Sequence, residues 1–297
     1  MKITVIGAGA MGSIYGCRLS LTNEVTLIDT NASLVETIAK NGIVLEENGK
    51  ETVFHPRALT KADSVPDLII LFTKSLYSKA ALDGIKEFIG PETYLMSLQN
   101  GAGHERLLSQ YVPRQRVIIG TTEDNGAVLA PGRIHHGGKG VTNIQKNPIE
   151  ERIAKAFDSC GFSVRIHDDI SSLVWNKLMT NVSLSALSAV LQCDMSFIAE
   201  DEHAWKVCIA LIHEAVLTAA SQGIAIDEVE TIEKVRATSI SNKGGHTSIM
   251  MDIKAHRRTE VDTITGAVVA AAHENGVCVP HHEMMLDLIH ALEARKD

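Results

Sequence analysis

Three groups of residues in this chain have the types and spacing to do chemistry. The first is Gly7-Ala8-Gly9-Ala10-Met11-Gly12, a GxGxxG loop near the N-terminus. Its chemistry is that of the main chain. Gly7 permits a tight turn, Gly9 lets a pyrophosphate approach the backbone, and Gly12 lets the following helix pack close to a sheet. The helix N-terminus adds free N–H groups and a partial positive charge for phosphates. Asp29 ends the next apolar run, about 20 residues beyond the central glycine, where an acidic side chain hydrogen-bonds the adenosine ribose of NAD and repels the 2′-phosphate of NADP. Its other use would be as a helix N-cap or a solvated strand end.

The second group is Trp175-Asn176-Lys177-Leu178-Met179-Thr180-Asn181-Val182-Ser183-Leu184-Ser185. Lys177, Asn181 and Ser185 stand at i, i+4 and i+8, one polar stripe on a helix otherwise rich in Leu, Val and Ala. A stripe of Lys, Asn and Ser with no carboxylate suits a wet cleft better than a solvent face. The third group runs from His246-Thr247-Ser248 to Asp252 and on through Arg257-Arg258-Thr259-Glu260-Val261-Asp262. Arg257 and Arg258 read there as a charged helix surface with local ion pairs.

The elements that must position these groups change character along the chain. In the first half, strands are expected over residues 2–6, 24–28, 67–72, 93–97 and 116–119, and helices over 10–19, 32–40 and 75–89, with a short helix after Gly103. Residues 43–46 and 51–55 flank Asn48-Gly49, a hairpin signal. Strands alternating with helices imply a parallel sheet covered on both faces. Residues 132–136 and 140–144 are short and Gly-bounded and read as an antiparallel extension, followed by a helix over 149–159 and a strand over 163–166. Beyond Asp168 the pattern is helical: 170–191, 202–222, 227–239, 247–274 and 281–294. Gly244-Gly245 reads as a mobile loop before the longest helix. The expected division is a dinucleotide-binding Rossmann-type α/β domain over 1–168 and an all-α substrate domain over 169–297, with substrate in the cleft between them.

Composition excludes several classes. At 297 residues with 45% apolar content, the chain suits two folded domains. A net charge of −8, with no basic tract, argues against nucleic acid and against an anionic membrane surface. The N-terminal residues read as a strand and turn, not a signal peptide, and no stretch is expected to span a membrane; the cytoplasm follows as the expected location. The five cysteines are odd in number and scattered, so buried free thiols are expected, with no disulfide framework or zinc site. His135-His136 and His281-His282 diverge as adjacent side chains, and no metal is expected at either pair.

Taken together, the sequence resembles the ketopantoate reductase (2-dehydropantoate 2-reductase) family over essentially its whole length. The markers are the Gly7–Gly12 loop, Thr73-Lys74, Gln99-Asn100-Gly101, Trp175-x-Lys177-x₃-Asn181 and Ser248-x₃-Asp252-x₇-Glu260-x-Asp262. The last two together are quite specific. The resemblance implies a C-terminal domain like that of 6-phosphogluconate dehydrogenase and a place in pantothenate biosynthesis. It implies hydride transfer from a reduced nicotinamide to a 2-keto carbon, with Lys177 as general acid and Glu260 holding that lysine and the substrate hydroxyl. Asn100, Asn181 and Ser248 would contact substrate or nicotinamide, and Lys74 would lie near the cofactor. Elementary chemistry agrees: hydride addition to a ketone builds an alkoxide, which needs a proton and a positive field. A free lysine, with a pKa of about 10.4, supplies both at neutral pH.

Two departures matter. Ser185 stands where the family often has a second Asn, and Asp29 where members preferring NADP(H) commonly carry a basic residue. Both point toward an NAD(H)-using relative acting on other 2-oxo acids, so an NAD-dependent D-2-hydroxyacid dehydrogenase on the same scaffold is the near alternative. A non-catalytic dinucleotide sensor is the alternative of another class. Lys177, Asn181 and Glu260 together speak against the sensor, which needs no proton donor. A homodimer through apolar faces of the helical half is the assembly the pattern suggests.

Overall fold

The computed structural model describes residues 1–295. Its contacts divide the chain into two compact units, one of Met1–Gln99 with His104–Ile170, the other of Asn100–Gly103 with Ser171–Asp297.

In the first unit, β1 (Lys2–Ile6) runs through the Gly loop into α1 (Ala10–Leu19). There follow β2 (Glu24–Ile28), α2 (Ala32–Asn41), β3 (Ile43–Glu47), β4 (Lys50–Phe54), β5 (Arg57–Leu59), β6 (Leu68–Leu71), α3 (Ser78–Gly84), β7 (Tyr94–Ser97) and α4 (His104–Leu108). The unit closes with β8 (Val117–Thr122), β9 (Asn125–Ala130), β10 (Arg133–Gly138), β11 (Val141–Gln145), α5 (Glu150–Asp158) and β12 (Ser163–His167). The main sheet has the order β12-β11-β8-β7-β6-β1-β2-β5. Its strands from β5 to β8 pair in parallel, and β11 joins β8 antiparallel. β1 and β6 are buried almost end to end, as continuous apolar strands covered on both faces must be. The order reverses between β1 and β6, the switch point where such sheets open a crevice for ligands.

Several expectations are corrected here. The segment 75–89 is not one helix: a 3₁₀ turn at Ser75–Tyr77, the short α3 and another 3₁₀ turn at Lys86–Phe88 share it. Gly84, costly within a helix, marks the break. β5 and β9 carry no strong alternation, and both were missed. β10 does pair antiparallel, with β9, but in a separate four-stranded sheet, order β4-β3-β10-β9, where it also runs parallel to β3. The β3–β4 hairpin turns at Asn48 and Gly49, with φ of 52° and 73°, as the Asn-Gly signal requires. His135 and His136 diverge: the first approaches Glu46, and the buried second lies between Asp124 and Glu47. Tyr15 of α1 ties the layers together, its hydroxyl 2.8 Å from Thr122 Oγ1 and 2.7 Å from Thr142 Oγ1. Burial pushes that phenol well above its ordinary pKa, so it stays neutral.

The second unit is helical: α6 (Ser171–Leu191), α7 (Met195–Glu200), α8 (Glu202–Ser221), α9 (Glu228–Ser241), α10 (Ser248–Lys254), α11 (Thr265–Asn275) and α12 (Pro280–Ala294). The expected helix over 247–274 is three pieces: α10, a 3₁₀ turn at Val261–Thr263, and α11. His256, at a φ of 50°, lies in the segment that breaks it. Gly244 and Gly245 both take part in hydrogen bonds to the start of α7. Gly244 N–H donates to Asp194 Oδ2 at 2.8 Å, and Met195 N–H to the Gly245 carbonyl at 3.0 Å. α8, contrary to expectation, is long and apolar enough to cross a membrane by length and composition. Its apolar side, including Cys208, Leu211, Ile212 and Ala215, instead fills the helical core.

α8 also carries Glu214, which closes the N-terminus of α12. One carboxylate oxygen accepts from His281 N (3.0 Å) and Nδ1 (2.6 Å), the other from His282 N (3.0 Å) and Nδ1 (2.9 Å). Burial opposes the charge, but the hydrogen bonds from His282 and His281 outweigh it and hold Glu214 down at about 2. A carboxylate depressed from 4.5 to about 2 contributes roughly 3 kcal/mol of stability, present above its unfolded pKa and lost as pH falls through the folded value. Glu214→Gln is expected to lower unfolding free energy by roughly 2–4 kcal/mol at neutral pH, a difference that shrinks between about pH 4.5 and 2. Denaturant titrations of both proteins across that window check it; a pH-independent difference contradicts it.

Candidate active site

The glycine loop divides its labour in a way the structure makes explicit. Gly7 has φ of 96°, and a Cβ there would lie 2.8 Å from Thr73 N. At Gly12 a Cβ would lie 1.8 Å from the Gly7 carbonyl oxygen. At Gly9 a Cβ would meet nothing within 4 Å. The fold therefore needs Gly7 and Gly12, while Gly9 is open on its exposed side, where a ligand would pass. Gly9 is also the N-cap of α1, with no side-chain cap and no acidic residue in the first turn. The first-turn amides of Ala10, Met11 and Gly12 are thus presented as an anion site.

Beside the loop lies a cleft of about 480 Å³. Asp29, Thr30, Thr60, Lys61, Phe72 and Lys74 line it together with Gly7 and Gly9, and Ala80, Ala81 and Ile85 add apolar wall. Polar strand ends and an apolar slot together match the adenosine half of a dinucleotide. Asp29 is held by its neighbours: Oδ2 accepts from Ala8 N–H at 2.8 Å and Oδ1 from Asn31 N–H at 2.9 Å. It is not the cap of α2; Asn31 is, accepting from Leu34 N–H. Lys61 escaped sequence reasoning because β5 did. Ile28 pairs with Leu59, so Lys61 emerges next to the Asp29 strand end.

In the helical unit, Lys177 and Asn181 are half-buried on α6, and Ser185 is buried. One turn on, Ser188 Oγ lies 2.8 Å from Thr247 Oγ1, which also donates to the Ser185 carbonyl at 3.3 Å. Thr247 caps α10, accepting from Met250 N–H at 3.3 Å. This junction brings Ser248, the exposed first residue of α10, beside the Ser185 turn. Sequence reasoning missed Ser188, and it took Thr247 only as part of its segment, although a Thr opening a helical pattern is a legible N-cap signal.

After α10 the chain turns back on itself. Arg257 Nε donates to Asp252 Oδ1 at 3.0 Å, and Arg257 N–H to the Asp252 carbonyl at 2.9 Å. Arg257 is thus ion-paired as expected, but in a loop. Glu260 lies at the head of the following 3₁₀ turn, half-buried, its carbonyl accepting from Thr263 and Ile264 N–H at 3.1 and 3.2 Å. The Thr263 carbonyl in turn accepts from Ala102 N–H at 3.1 Å. A Cβ on Gly101, whose φ is 101°, would lie 2.2 Å from that oxygen. Only glycine permits this approach, and through it Asn100–Gly103 joins the helical unit beside the Glu260 turn.

Comparison with known proteins covers both units. The family model for ketopantoate reductase PanE/ApbA matches residues 3–148, and that for its C-terminal part matches 169–293. The chain is 32% identical over 302 residues to the 2-dehydropantoate 2-reductase of Streptococcus pyogenes serotype M1, covering 99% of this chain and 98% of that protein. It is 30% identical to the enzyme of the same name from Pyrococcus horikoshii, over 99% and 98% of the two chains. Among solved structures, a D-mandelate dehydrogenase with NADH and anilino(oxo)acetate matches at TM-score 0.90 and 30% identity, over 99% and 98% of the two chains. A PanE/ApbA family ketopantoate reductase from Ralstonia eutropha matches at 0.92 and 25%, with the same coverage.

Proposed function

Because this chain belongs to the ketopantoate reductase family, we propose that it reduces a 2-oxo acid with a nicotinamide dinucleotide, and that 2-dehydropantoate, giving pantoate, is its substrate. The observation that carries the reading is the helical unit's polar set: Lys177 and Asn181 on α6, with Ser248 joined to the same helix through the Ser188–Thr247 bond. A reduced dinucleotide whose adenosine half lay in the glycine-loop cleft would supply the hydride. Lys177 gives its proton to the oxygen that becomes the alcohol, and its charge stabilises the alkoxide as it forms. Glu260 holds that ammonium and the substrate hydroxyl. Asn100, Asn181, Ser185 and Ser248 orient the oxo acid by hydrogen bonds.

One observation favours a second reading, reduction of bulkier 2-oxo acids. The similar D-mandelate dehydrogenase structure holds NADH, and this chain carries Asp29 and Ser185 at the two departures from the family pattern. Steady-state kinetics with 2-dehydropantoate and a series of bulkier 2-oxo acids decide between the readings. The first requires 2-dehydropantoate to give the highest kcat/KM; a bulkier acid in that place favours the second. No turnover with any of them removes both.

Cofactor choice rests on Asp29, which lines the cleft and is fixed by the Ala8 and Asn31 amides. Two like charges about 4 Å apart repel by roughly 4 kcal/mol at an effective dielectric near 20. Solvent at the cleft edge reduces this to about 1–2 kcal/mol, or about tenfold. Lys61 and Lys74 line the same cleft and offset part of it. A modest NADH preference is expected, reversed by Asp29→Arg and enlarged by Lys61→Ala. Measured kcat/KM favouring NADPH tenfold or more in the unaltered protein contradicts this.

A further inference from the structure

Glu260 sits in an irregular turn, and something must fix that turn for its carboxylate to serve the reaction. The Asp252–Arg257 pair holds the chain before it and Ala102 bonds the Thr263 carbonyl after it, while residues 255–258 are exposed. The residue next to Glu260 is restrained from α12. Glu293 Oε1 accepts from Thr259 N–H at 2.7 Å, and Thr259 is itself 3% exposed. The Thr259 hydroxyl oxygen accepts from Val261 N–H at 3.1 Å, so the backbone on both sides of Glu260 is pinned through one residue. One helical turn before Glu293, His290 bridges the two flanks: Nδ1 lies 3.4 Å from Glu293 Oε2 and Nε2 lies 3.1 Å from Asp262 Oδ1. The Glu293 side chain is only 9% exposed and that of Asp262 57%, so the 2.7 Å bond from Thr259 N–H is the strong one and the Asp262–His290 pair is screened. Burial opposes ionisation of Glu293, yet bonds from Thr259 and His290 hold its pKa below the ordinary value.

We propose that Glu293 is a positioning residue for the reaction: by holding the Thr259 amide it sets the turn that presents Glu260, with His290 and Asp262 as the outer clamp. This gives Asp262, the last residue of the Ser248-to-Asp262 pattern, a job at the turn without contact with substrate. The proposal rests on the assignment of Glu260 to the reaction, and its test separates the two. Displacing a catalytic group by about 1 Å costs up to about 100-fold, so Glu293→Ala should lower kcat about 10- to 100-fold with NADH affinity unchanged. Glu293→Gln, which keeps an acceptor oxygen for the amide, should restore most of that loss. In a Glu260→Gln background, Glu293→Ala should change kcat less than about twofold, because the group it positions is already disabled. Should Glu293→Ala not fold, Glu293→Asp withdraws the same acceptor by one methylene, and the same pattern is expected on a smaller scale. Fully additive losses in the double variant, or a normal kcat in Glu293→Ala, overturn the proposal. A normal kcat in Glu260→Gln alone overturns instead the role of Glu260 beneath it.

Discussion

Lys177→Ala should lower kcat by about 10² to 10⁴-fold, the usual cost of losing a general acid, while NADH binds as before. The reason lies in where the residues are. Lys177 is on α6 in the helical unit, whereas the glycine loop, Asp29 and the cleft walls belong to the α/β unit. Lys177→Arg should not restore the rate. A guanidinium keeps the positive charge but does not surrender a proton at neutral pH. Comparing the two variants separates the field of the cation from its proton: equal losses mean the proton matters most, and a partial rescue by Arg measures the field. Cofactor affinity, followed by fluorescence of bound NADH, is the control. A near-normal kcat in Lys177→Ala removes Lys177 from the mechanism.

Gly12→Ala should abolish dinucleotide binding and destabilise the α/β unit. The new methyl would lie 1.8 Å from the Gly7 carbonyl oxygen, a clash with the main chain that no rotamer relieves because a Cβ is fixed by its own backbone. The loop and the start of α1 must separate by more than an ångström, which removes the phosphate cradle. The loss in affinity should exceed about 100-fold, or about 2.7 kcal/mol. Gly9→Ala is the informative partner. Its methyl meets no protein atom within 4 Å, so thermal stability should be unchanged. NADH affinity should still fall, since the methyl takes the space a pyrophosphate needs. Normal NADH binding by Gly9→Ala would mean that the phosphates do not pass over that residue.

The sequence revealed most where chemistry and local pattern coincide. Gly7, Gly9 and Gly12 could be read because a strand, a turn and a helix meet there within one short segment, and Asp29 because the next strand ends at a fixed offset. The stripe from Lys177 to Ser185 follows from helical periodicity alone. What could not be read depends on partners far away in the chain. Glu260 looked helical because its neighbours continue an amphipathic pattern, yet Glu293 and the Asp252–Arg257 pair hold that stretch in a turn. Gly101 stood out as part of a motif, but its need for a positive φ appears only once the Thr263 carbonyl lies against it. Lys61 follows a three-residue edge strand too short to leave a periodic trace. His281 and His282, an apparent metal pair, take their roles from Glu214, a residue distant in sequence.

In the proposed reaction a hydride passes from a reduced nicotinamide to the C2 carbon of a 2-oxo acid. The most direct measurement follows the hydride itself. Purified protein is incubated with NADH dideuterated at the nicotinamide C4 and with 2-dehydropantoate or a bulkier 2-oxo acid, and the 2-hydroxy acid is examined by mass spectrometry and NMR. One deuteron is expected at C2 of the product, in proportion to NADH consumed, with no product in Lys177→Ala beyond about one hundredth of the normal rate. A product without deuterium at C2, or no 2-hydroxy acid from any of the oxo acids while NADH binds normally, would contradict it.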